Sequence, residues 1–342
     1  MKKILVAMSG GVDSAAAALV MKKQGYEVCG ATLILNDNHA EAEKAKRIAE
    51  ILGIDFFVID LRDDFKDKVI TPFIDEYCRG ATPNPCITCN KEIKFGFLYD
   101  EAIKRGFDGI ATGHYAQVSW DNELNEPILN RGMDTSKDQS YVLYSINRDY
   151  FKNIYFPLGE YTKAEVRKIA KDAGFENADG AESQDICFIK DGDYAGFIRS
   201  KRCNCDCCGD FVNSNGEKLG KHKGIISYTV GQRRGLGIAS TAPLYVLRKN
   251  VDNNTVVLGF EDELQTNYFE VNNINILKPS ICEGEVKCTV RTRYHQKESE
   301  CIAIFDDSIV KVRLEKSIRM PAAGQSAVFY IGDIVIAGGI IR

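Results

Sequence analysis

Short apolar runs alternate with amphipathic segments through the first part of the chain. Residues 4–8 are five consecutive apolar residues, the length and composition of a buried strand in a parallel sheet. A glycine pair at 10–11 follows, and an alanine-rich segment with strong helix propensity then runs to Gly25, which ends it. A strand, a glycine turn and a helix in this order predict backbone N–H groups that converge on an anion at the start of the helix.

The same alternation continues to residue 114. It predicts strands at 28–35, 55–60 and 107–114 and helices at 40–52, 65–77 and 95–104. Strands that alternate with helices in this way indicate an α/β fold with a doubly wound, Rossmann-like parallel sheet. Ligands of such sheets bind beyond the carboxyl ends of the strands, where residues 9–14 and 112–114 both fall.

Helical periodicity disappears after residue 200, and short segments of alternating polarity replace it. These segments lie at 245–248, 255–258, 285–293, 301–305, 309–314, 326–330 and 334–337. Turns rich in Asn, Asp and Gly separate several of them, which favours antiparallel β structure. The pattern predicts three domains: an α/β domain over 1–200, a small central β-rich domain over 201–267 and a C-terminal β-barrel over 268–342.

The amino-acid composition and charge of the chain limit the classes of protein to which it can belong. The 342 residues carry a net charge of −4, which argues against a uniformly basic nucleic-acid binder but is compatible with local basic patches. Apolar runs are much shorter than a transmembrane helix, and the N-terminus lacks the apolar core of a signal peptide. We therefore expect a cytoplasmic protein that has no membrane partner.

Twelve cysteines are many for a protein of a reducing compartment, where such residues are more often catalytic or metal-binding than disulfide-bonded. Four stand singly in apolar or alternating segments and are predicted to be inert: Cys29, Cys282, Cys288 and Cys301. Four others crowd into six residues: Cys203, Cys205, Cys207 and Cys208. This short loop could bind Zn²⁺, although its spacing is tighter than usual; exchange with the cysteines of a partner and a neutral loop are the alternatives.

Two further thiols lie in a loop that two prolines stiffen. Cys89 is predicted to lie at or just before the N-terminus of a helix capped by Asn90, where the helix dipole lowers the pKa of a thiol. Lys91 and Lys94 are expected to lower that pKa further. With Cys86 it forms a CxxC pattern, which alone is compatible with a redox pair, half of a metal site or coincidence.

Six motifs resemble those of a known family. The hexapeptide SGGVDS at 9–14 resembles the signature of the PP-loop ATP pyrophosphatases. It is followed in order by TPNPCITCNKEIKF, ATGHYA, KDQSYVL, ESQDICF and YTVGQRRGLGI, a series similar to that of the tRNA-specific 2-thiouridylases over the whole chain. The resemblance implies an enzyme that uses ATP and Mg²⁺ to adenylate O2 of the wobble uridine of tRNA, after which persulfide sulfur displaces AMP.

The resemblance also implies roles for single residues. Contacts to ATP would come from Ala7, Met8, Ser9, Gly10, Gly11, Val12, Asp13, Ser14, Leu33 and Gly113. Cys89 matches the nucleophile and Cys187 the cysteine that carries the persulfide, while Asn84, Pro85 and Cys86 match the strip that touches the target base. Further contacts to tRNA would come from His114, Lys137, Asp138, Gln139, Arg293, Tyr294 and Gln325. The sulfur donor would be a cysteine desulfurase, a relay protein or free sulfide.

One position departs from the family pattern. Cys86 stands where many members carry an Asp that is proposed as an acid/base group. Cys86, Cys89 and Cys187 could instead hold a [4Fe–4S] cluster whose open iron takes up sulfide. Cys187 lies in a short segment flanked by glycines. This local sequence is equally compatible with a buried cysteine and with a functional one. The persulfide and the cluster therefore stay open as alternatives.

Simpler interpretations stand beside these. His114 could be a packed turn histidine. The basic residues could be solvated strand faces rather than a platform for tRNA: Arg233, Arg234, Arg291, Arg293, Lys311, Arg313, Lys316 and Arg319. Another adenylating PP-loop enzyme, such as an amide synthetase, would explain SGGVDS but not the cysteines. A non-enzymatic iron–sulfur module that binds RNA would explain the cysteines but not SGGVDS.

Overall fold

A computed structural model describes residues 1–175, 186–189, 192–202, 207–306 and 308–342. The strands are β1 (Lys3–Ala7), β2 (Glu27–Ile34), β3 (Asp55–Asp60), β4 (Gly109–Ala111), β5 (Ala116–Asp121), β6 (Glu126–Arg131), β7 (Ile154–Tyr155), β8 (Gly209–Val212), β9 (Lys218–His222), β10 (Tyr245–Asn250), β11 (Thr255–Gly259), β12 (Gln265–Ile276), β13 (Gly284–Arg291), β14 (Ser299–Asp306), β15 (Ile309–Arg319), β16 (Ser326–Ile331) and β17 (Ile334–Ile341).

The helices are α1 (Val12–Lys23), α2 (Ala40–Leu52), α3 (Arg62–Phe65), α4 (Thr71–Cys78), α5 (Pro85–Cys89), α6 (Leu98–Lys104), α7 (Lys163–Asp172) and α8 (Tyr194–Lys201). Two π-helical segments, Lys66–Ile70 and Asn90–Phe97, join α3 to α4 and α5 to α6, so each pair forms one continuous helical stretch. Single 3₁₀ turns occur at Ser140–Val142, Arg148–Asn153, Ile225–Ser227 and Asp262–Leu264. Within the described ranges, every helix is too short or too polar to cross a bilayer.

The N-terminal part is the predicted parallel α/β sheet, with strand order β3-β2-β1-β4-β7. Ile4, Leu5 and Val6 of β1 are fully buried because helices cover both faces of the strand, as an unbroken apolar run requires. The chain proceeds from β1 to β2 and β3 on one side of the sheet and places β4 on the other side of β1. The carboxyl ends of β1 and β4 thus flank the point where strand order reverses, which is where open α/β sheets bind ligands.

The described strands outside this sheet pair antiparallel except for β8 with β11, which are parallel, and they form the predicted small β domain and C-terminal barrel. The small domain has strand order β10-β11-β8-β9. The barrel has strand order β12-β15-β14-β13-β16-β17, and pairing of β12 with β17 closes it. Alternate residues of β13, β14 and β15 point into the barrel and are buried, whereas their neighbours are exposed. The predicted domain boundaries stay predictions.

The hairpin β5–β6 was not predicted, and it joins the two halves of the molecule. Its strand β6 pairs with β17 through Asn130 opposite Ile334 and Leu129 opposite Val335. Such pairing across 200 residues leaves no local signal in the sequence. Strands β8, β9 and β12 were missed as well. The predicted helix at 95–104 begins instead at Pro85, because Asn84 caps the chain there, and the predicted strand at 107–114 is only Gly109–Ala111.

A buried ion pair fixes this hairpin to the segment that follows β12. Lys278 Nζ lies 2.8 Å from Glu126 Oε2, and only 4% of each residue is exposed. Both the backbone N–H and the hydroxyl of Ser280 also donate to the Glu126 carboxylate, at 2.7 Å. Burial raises the pKa of Glu126, but the hydrogen bonds from Lys278 and Ser280 outweigh it, so the pKa lies below its ordinary value.

Replacing Glu126 with Ala should lower the free energy of unfolding by about 3–5 kcal/mol, because it leaves the buried Lys278 without a counter-charge. Chemical denaturation at pH 7 would measure this. The pKa of Glu126 is lower in the folded state than in the unfolded state. The stability that the Glu126 carboxylate contributes is therefore fully present above the ordinary glutamate pKa and is lost as the pH falls through the folded-state pKa. Glu123→Ala, an exposed position in the same hairpin, is the control; equal stability of the two variants would contradict the prediction.

Candidate active site

Hydrogen bonds of its two serines hold the loop between β1 and α1 in a fixed conformation. The Ser14 hydroxyl donates to Gly11 O at 3.0 Å and accepts from the Ser9 N–H at 3.1 Å. Gly10 has φ +73°, and a Cβ there would lie 2.8 Å from Glu41 O of α2. Glycine is therefore needed both for the left-handed backbone and for the close contact with α2. The free N–H groups at the start of α1 make this loop suited to bind a phosphate.

The chain after β4 packs directly on this loop. A Cβ at Gly113 would lie 2.8 Å from the Asp13 carbonyl carbon, so only glycine permits the contact. Leu33 lies near the end of β2, where the hydroxyl of Thr32 donates to Met8 O at 2.6 Å. The structure thus brings together at one edge of the sheet all the residues predicted to contact ATP: Ala7, Met8, Ser9, Gly10, Gly11, Val12, Asp13, Ser14, Leu33 and Gly113. Their contact with ATP stays a prediction.

Two residues that the sequence analysis missed hold the Asp13 carboxylate. Lys163 Nζ donates to Asp13 Oδ1 at 2.7 Å and to Oδ2 at 2.8 Å, and the Tyr115 hydroxyl donates to Oδ1 at 2.8 Å. Lys163 is the first residue of α7, whose start is fixed by a reciprocal capping box between Thr162 and Glu165. The capping pattern was visible in the sequence, but the pairing with Asp13 spans 150 residues and was not. The ion pair places one cation and one anion beside the phosphate loop.

The predicted location of Cys89 at a helix N-terminus is wrong. The helix begins four residues earlier, at Pro85, and the Asn84 side chain caps it by accepting from the Cys86 N–H at 3.1 Å. Pro85 is favoured at this first position because it has no N–H to leave unpaired. Cys89 therefore lies one turn inside the helix, and Asn90 continues the helix instead of capping it.

The three candidate thiols lie in one neighbourhood. Cys86 and Cys187 are exposed, whereas Cys89 is buried. Desolvation by the surrounding protein raises the pKa of all three thiols, and for Cys187 it does so to about 11 with help from the charges of Cys89 and Cys86. Lys94 lowers each pKa, as predicted, but by less than desolvation raises it. The prediction of a lowered Cys89 pKa is thus wrong, because the thiol lacks the helix end that was expected to stabilise its anion.

Metal binding finds no support in the arrangement of the described side chains. Within those ranges, His, Cys, Asp and Glu do not come together in any group of three or more that could hold a metal. Cys207 and Cys208 are free and exposed, while Cys203 and Cys205 of the same predicted zinc loop lie outside the described residues. Glu182, Ser183, Gln184 and Asp185 of the ESQDICF motif lie outside them too.

His114 is a packed turn residue in this structure. Its Nδ1 lies 2.7 Å from the Thr112 hydroxyl, and its ring packs against Phe95 and Phe156, at 5.7 and 6.0 Å between ring centroids. Burial, with a smaller effect of Lys94, holds the pKa of His114 well below its ordinary value, so the imidazole is neutral at pH 7. This geometry favours the simpler interpretation of His114, and its contact with tRNA stays a prediction.

Other residues predicted to contact tRNA instead make contacts within the protein. Asp138 is buried and accepts from Arg291 Nη1 at 3.0 Å, so Arg291 does not belong to a solvated strand face. The Gln139 side-chain oxygen accepts from the Tyr115 N–H at 2.9 Å, and the Gln325 amide donates to the Thr82 carbonyl. These contacts hold loops in place, and the contact of these residues with tRNA stays a prediction.

The remaining candidates are more accessible. Lys137 is half-buried, and Tyr294 is half-buried with its ring against that of Tyr141, at 5.9 Å between centroids. Arg293 is exposed and donates to Val230 O of the central domain at 3.2 Å. The other basic candidates are exposed, several on alternate positions of β15: Arg233, Arg234, Lys311, Arg313, Lys316 and Arg319. Exposure is compatible with both phosphate binding and a solvated face.

Contacts through His114 link the phosphate loop to the helix that carries Cys86 and Cys89. Gly113 packs on Asp13, and the ring of the next residue, His114, packs on Phe95 in the helical stretch that begins at Pro85. Lys94 lowers the pKa of His114, which follows Gly113 of the phosphate site, and it also lowers the pKa of the Cys86, Cys89 and Cys187 thiols. Glu41, whose carbonyl touches Gly10, in turn raises the pKa of Cys187. The two sites therefore belong to one part of the α/β domain. The arrangement can therefore join nucleotide chemistry to thiol chemistry.

Family models match most of the chain. They are described as a tRNA methyl transferase HUP domain over residues 2–191, a tRNA methyl transferase PRC-barrel domain over 200–260 and an aminomethyltransferase beta-barrel domain over 266–341. A solved 4-thiouridine synthetase in complex with RNA and ATP is 19% identical, with a TM-score of 0.37, and the match covers 55% of this chain and 45% of that one.

Curated relatives match the full length. The chain is 43% identical to the tRNA-specific 2-thiouridylase MnmA 1 of Caldanaerobacter subterraneus, over 99% of this chain and 98% of the relative. It is 41% identical to the tRNA-specific 2-thiouridylase MnmA of Acetivibrio thermocellus, over 100% and 99%, and 40% identical to that of Clostridioides difficile, over 100% and 98%. At this identity and coverage, the chain belongs to the family of tRNA-specific 2-thiouridylases.

Proposed function

We propose that this chain is an ATP-dependent tRNA-uridine 2-sulfurtransferase that replaces O2 of the wobble uridine of tRNA with sulfur. The observation that carries the proposal is the link between the two sites: Gly113 packs on Asp13 of the SGGVDS loop, and His114 packs on Phe95 in the helical stretch of Cys86 and Cys89. Cys187 lies within electrostatic reach of both of these thiols. A loop that binds phosphate supplies activation, and thiols supply sulfur. Neither feature alone would distinguish this enzyme from other nucleotide-binding proteins.

Activation precedes sulfur transfer because a carbonyl oxygen is a poor leaving group. O2 of uridine attacks the α-phosphorus of ATP, pyrophosphate leaves, and O2 becomes part of an adenylate ester. The N–H groups at the start of α1 and the Lys163 ammonium would hold the charge that develops on the phosphates. Mg²⁺ would enter with the triphosphate, whose oxygens are its preferred ligands.

Two thiols are enough to complete the transfer from a persulfide. The terminal sulfur of a Cys187 persulfide attacks C2, and the C–O bond breaks with release of AMP. The Cys89 thiolate then attacks the Cys187 sulfur, so that the S–S bond to the transferred sulfur breaks and 2-thiouridine leaves. A Cys89–Cys187 disulfide remains, which a thiol reductant must reduce before a new persulfide forms. A cysteine desulfurase or a relay protein would supply the persulfide sulfur, whereas free sulfide would serve only the alternative in which a cluster takes it up.

The names of the matching family models raise methyl transfer as a second candidate. Adenylation at an ATP-binding loop prepares O2 for displacement by sulfur, and methyl transfer needs no such activation of O2, so the phosphate loop together with the thiols favours sulfur transfer. Mass spectrometry of nucleosides from modified tRNA distinguishes the products, since one has sulfur in place of oxygen and the other an added methyl group. An amide synthetase would give neither product. The cytoplasmic location predicted from the sequence stays a prediction.

Asp13→Ala should lower thiolation by on the order of 100-fold, because it removes the carboxylate beside the phosphate loop and frees Lys163 from its ion pair. Binding of unmodified tRNA should be unchanged, because Asp13 is far in sequence and fold from the basic strands of the barrel. Both would be measured on the same preparation, so retained tRNA binding also shows that the variant is folded. Asp172→Ala, at the exposed end of α7, is the control, and normal thiolation by Asp13→Ala would contradict the proposal.

Alkylation of Cys187 should keep rising with pH beyond the point at which an ordinary thiol is saturated. Although the residue is exposed, desolvation of its thiol by the surrounding protein and the nearby Cys89 and Cys86 raise the pKa to about 11, so the thiolate fraction grows about tenfold per pH unit up to that value. Site-resolved mass spectrometry after iodoacetamide treatment at pH 7 to 10 would measure the rate. Free glutathione, treated in parallel, is the reference that levels off earlier. A Cys187 rate that levels off with glutathione would show that the thiol is not desolvated.

The persulfide mechanism and the cluster mechanism predict different metal contents for the purified protein. Because the described side chains form no metal-ligand group, we expect anaerobically purified protein to contain no stoichiometric iron or acid-labile sulfide and to thiolate tRNA with a persulfide donor. Iron at about four per chain, lost in Cys86→Ala, would replace the persulfide with a cluster. Cys282→Ala, a buried thiol in the barrel, is the control whose metal content must equal that of the parent.

A further inference from the structure

The segment that leads to Cys86 lies where three domains meet. A Cβ at Gly80 would lie 3.0 Å from Val251 Cγ2, next to β10 of the central domain. The Thr82 N–H donates to Ala323 O of the barrel at 2.8 Å, and a Cβ at Gly324 would lie 2.8 Å from Ala81 Cβ. Residues 80–82 are therefore held between the central domain on one side and the loop between β15 and β16 on the other.

Lys249 of β10 contributes the charged contact at this junction. Its ammonium donates to Tyr228 O at 3.0 Å and to Ala81 O at 3.5 Å, and it lies 5.9 Å from the centroid of the Tyr77 ring. In the described part of the chain, Lys249 has no carboxylate within ion-pair distance. Burial lowers its pKa to about 8, which reflects the cost of keeping the cation there. A lysine kept at such a cost, with two carbonyls as partners, has a role in holding those carbonyls in place.

We propose that Lys249 is a positioning residue that fixes the approach of the Cys86 loop through the carbonyl of Ala81. From Thr82 the chain reaches Cys86 through Pro83, Asn84 and Pro85. The two proline rings fix their own φ angles, and the Asn84 cap fixes the first turn of α5. Little freedom remains between Ala81 and Cys86, so the position of one sets the position of the other.

Through Lys249, the central domain would help to position Cys86 for the reaction. Tyr228, whose carbonyl shares the Lys249 ammonium, belongs to the YTVGQRRGLGI motif, and Arg293 of the barrel donates to Val230 O in the same motif. A ligand that contacts this motif would act on the Cys86 loop through Lys249. This catalytic consequence rests on the proposed function, whereas the position of Cys86 can be tested without it.

Lys249→Met, which keeps the length of the side chain and removes the ammonium, tests the proposal. The first readout is the alkylation rate of Cys86 by iodoacetamide without ATP or tRNA, resolved by mass spectrometry. We expect the rate to change by about fivefold, the equivalent of one ordinary hydrogen bond. Lys249→Arg, which keeps a donor cation, should restore the parent rate. Arg248→Met, the exposed neighbour on the same strand, is the matched control and should leave the rate unchanged.

A second readout separates positioning from stability. In Lys249→Met, kcat for thiolation should fall while KM for ATP stays the same, because the SGGVDS loop does not contact Lys249. An unchanged Cys86 alkylation rate in folded Lys249→Met would overturn the positioning role and leave the proposed function untouched. If thiolation is absent in the parent protein as well, the proposed function fails while the alkylation result still stands.

Gly324→Ala provides an independent test if Lys249→Met does not fold. Its new Cβ would lie 2.9 Å from the Thr82 N–H nitrogen, so it displaces the same segment from the side of the barrel. We expect the Cys86 alkylation rate to change in this variant too. An unchanged rate would show that residues 80–82 do not determine the position of Cys86 and would overturn the proposal.

Discussion

The contact on which the rest of the structure depends is the docking of hairpin β5–β6 on the last strand of the barrel. The hairpin leaves the α/β part between β4 and β7, extends the barrel sheet through β17, and is fixed by the buried Glu126–Lys278 pair. Arg291 of β13 adds a second buried ion pair with Asp138, in the loop that follows the hairpin. A macromolecular substrate that lies across several domains must bring one atom to the reacting groups. Rigid docking of the domains on one another keeps the position of that atom relative to those groups constant.

The charged groups beside the phosphate loop are held by contacts within the protein. Lys163 and Tyr115 hold the Asp13 carboxylate beside the phosphate loop, so its orientation is set before a ligand enters. The thiols, in contrast to this carboxylate, stay protonated at neutral pH because desolvation raises their pKa. A protonated thiol reacts slowly with adventitious electrophiles, which protects a sulfur-transfer site while no substrate is bound.

The sequence predicts well the features whose cause is local. The helix at 40–52 and the strand at 55–60 have the predicted bounds, because the amphipathic pattern and the glycine at 53 act within a few residues. The edge of the sheet where residues 9–14 and 112–114 lie was predicted for the same reason, since glycine turns after strands have a local signature. The Asp13–Lys163 pair and the hairpin on β17 were not predicted, because their partners lie more than 100 residues away in the chain. His114, Asp138 and Gln325 carry polar groups that suit RNA, but their sequence context does not show that protein partners already occupy them.

Cys86 shows how one substitution within a motif changes the chemistry that is available. A carboxylate at this position would be ionised at neutral pH and could accept a proton or hold a cation. The Cys86 thiol, whose pKa desolvation raises, is protonated under the same conditions and can do neither. It can, however, exchange with a disulfide or a persulfide once it loses its proton, and Cys89 and Cys187 lie within electrostatic reach. A thiol at this position is therefore suited to sulfur exchange rather than to proton transfer, and its part in the reaction stays a prediction.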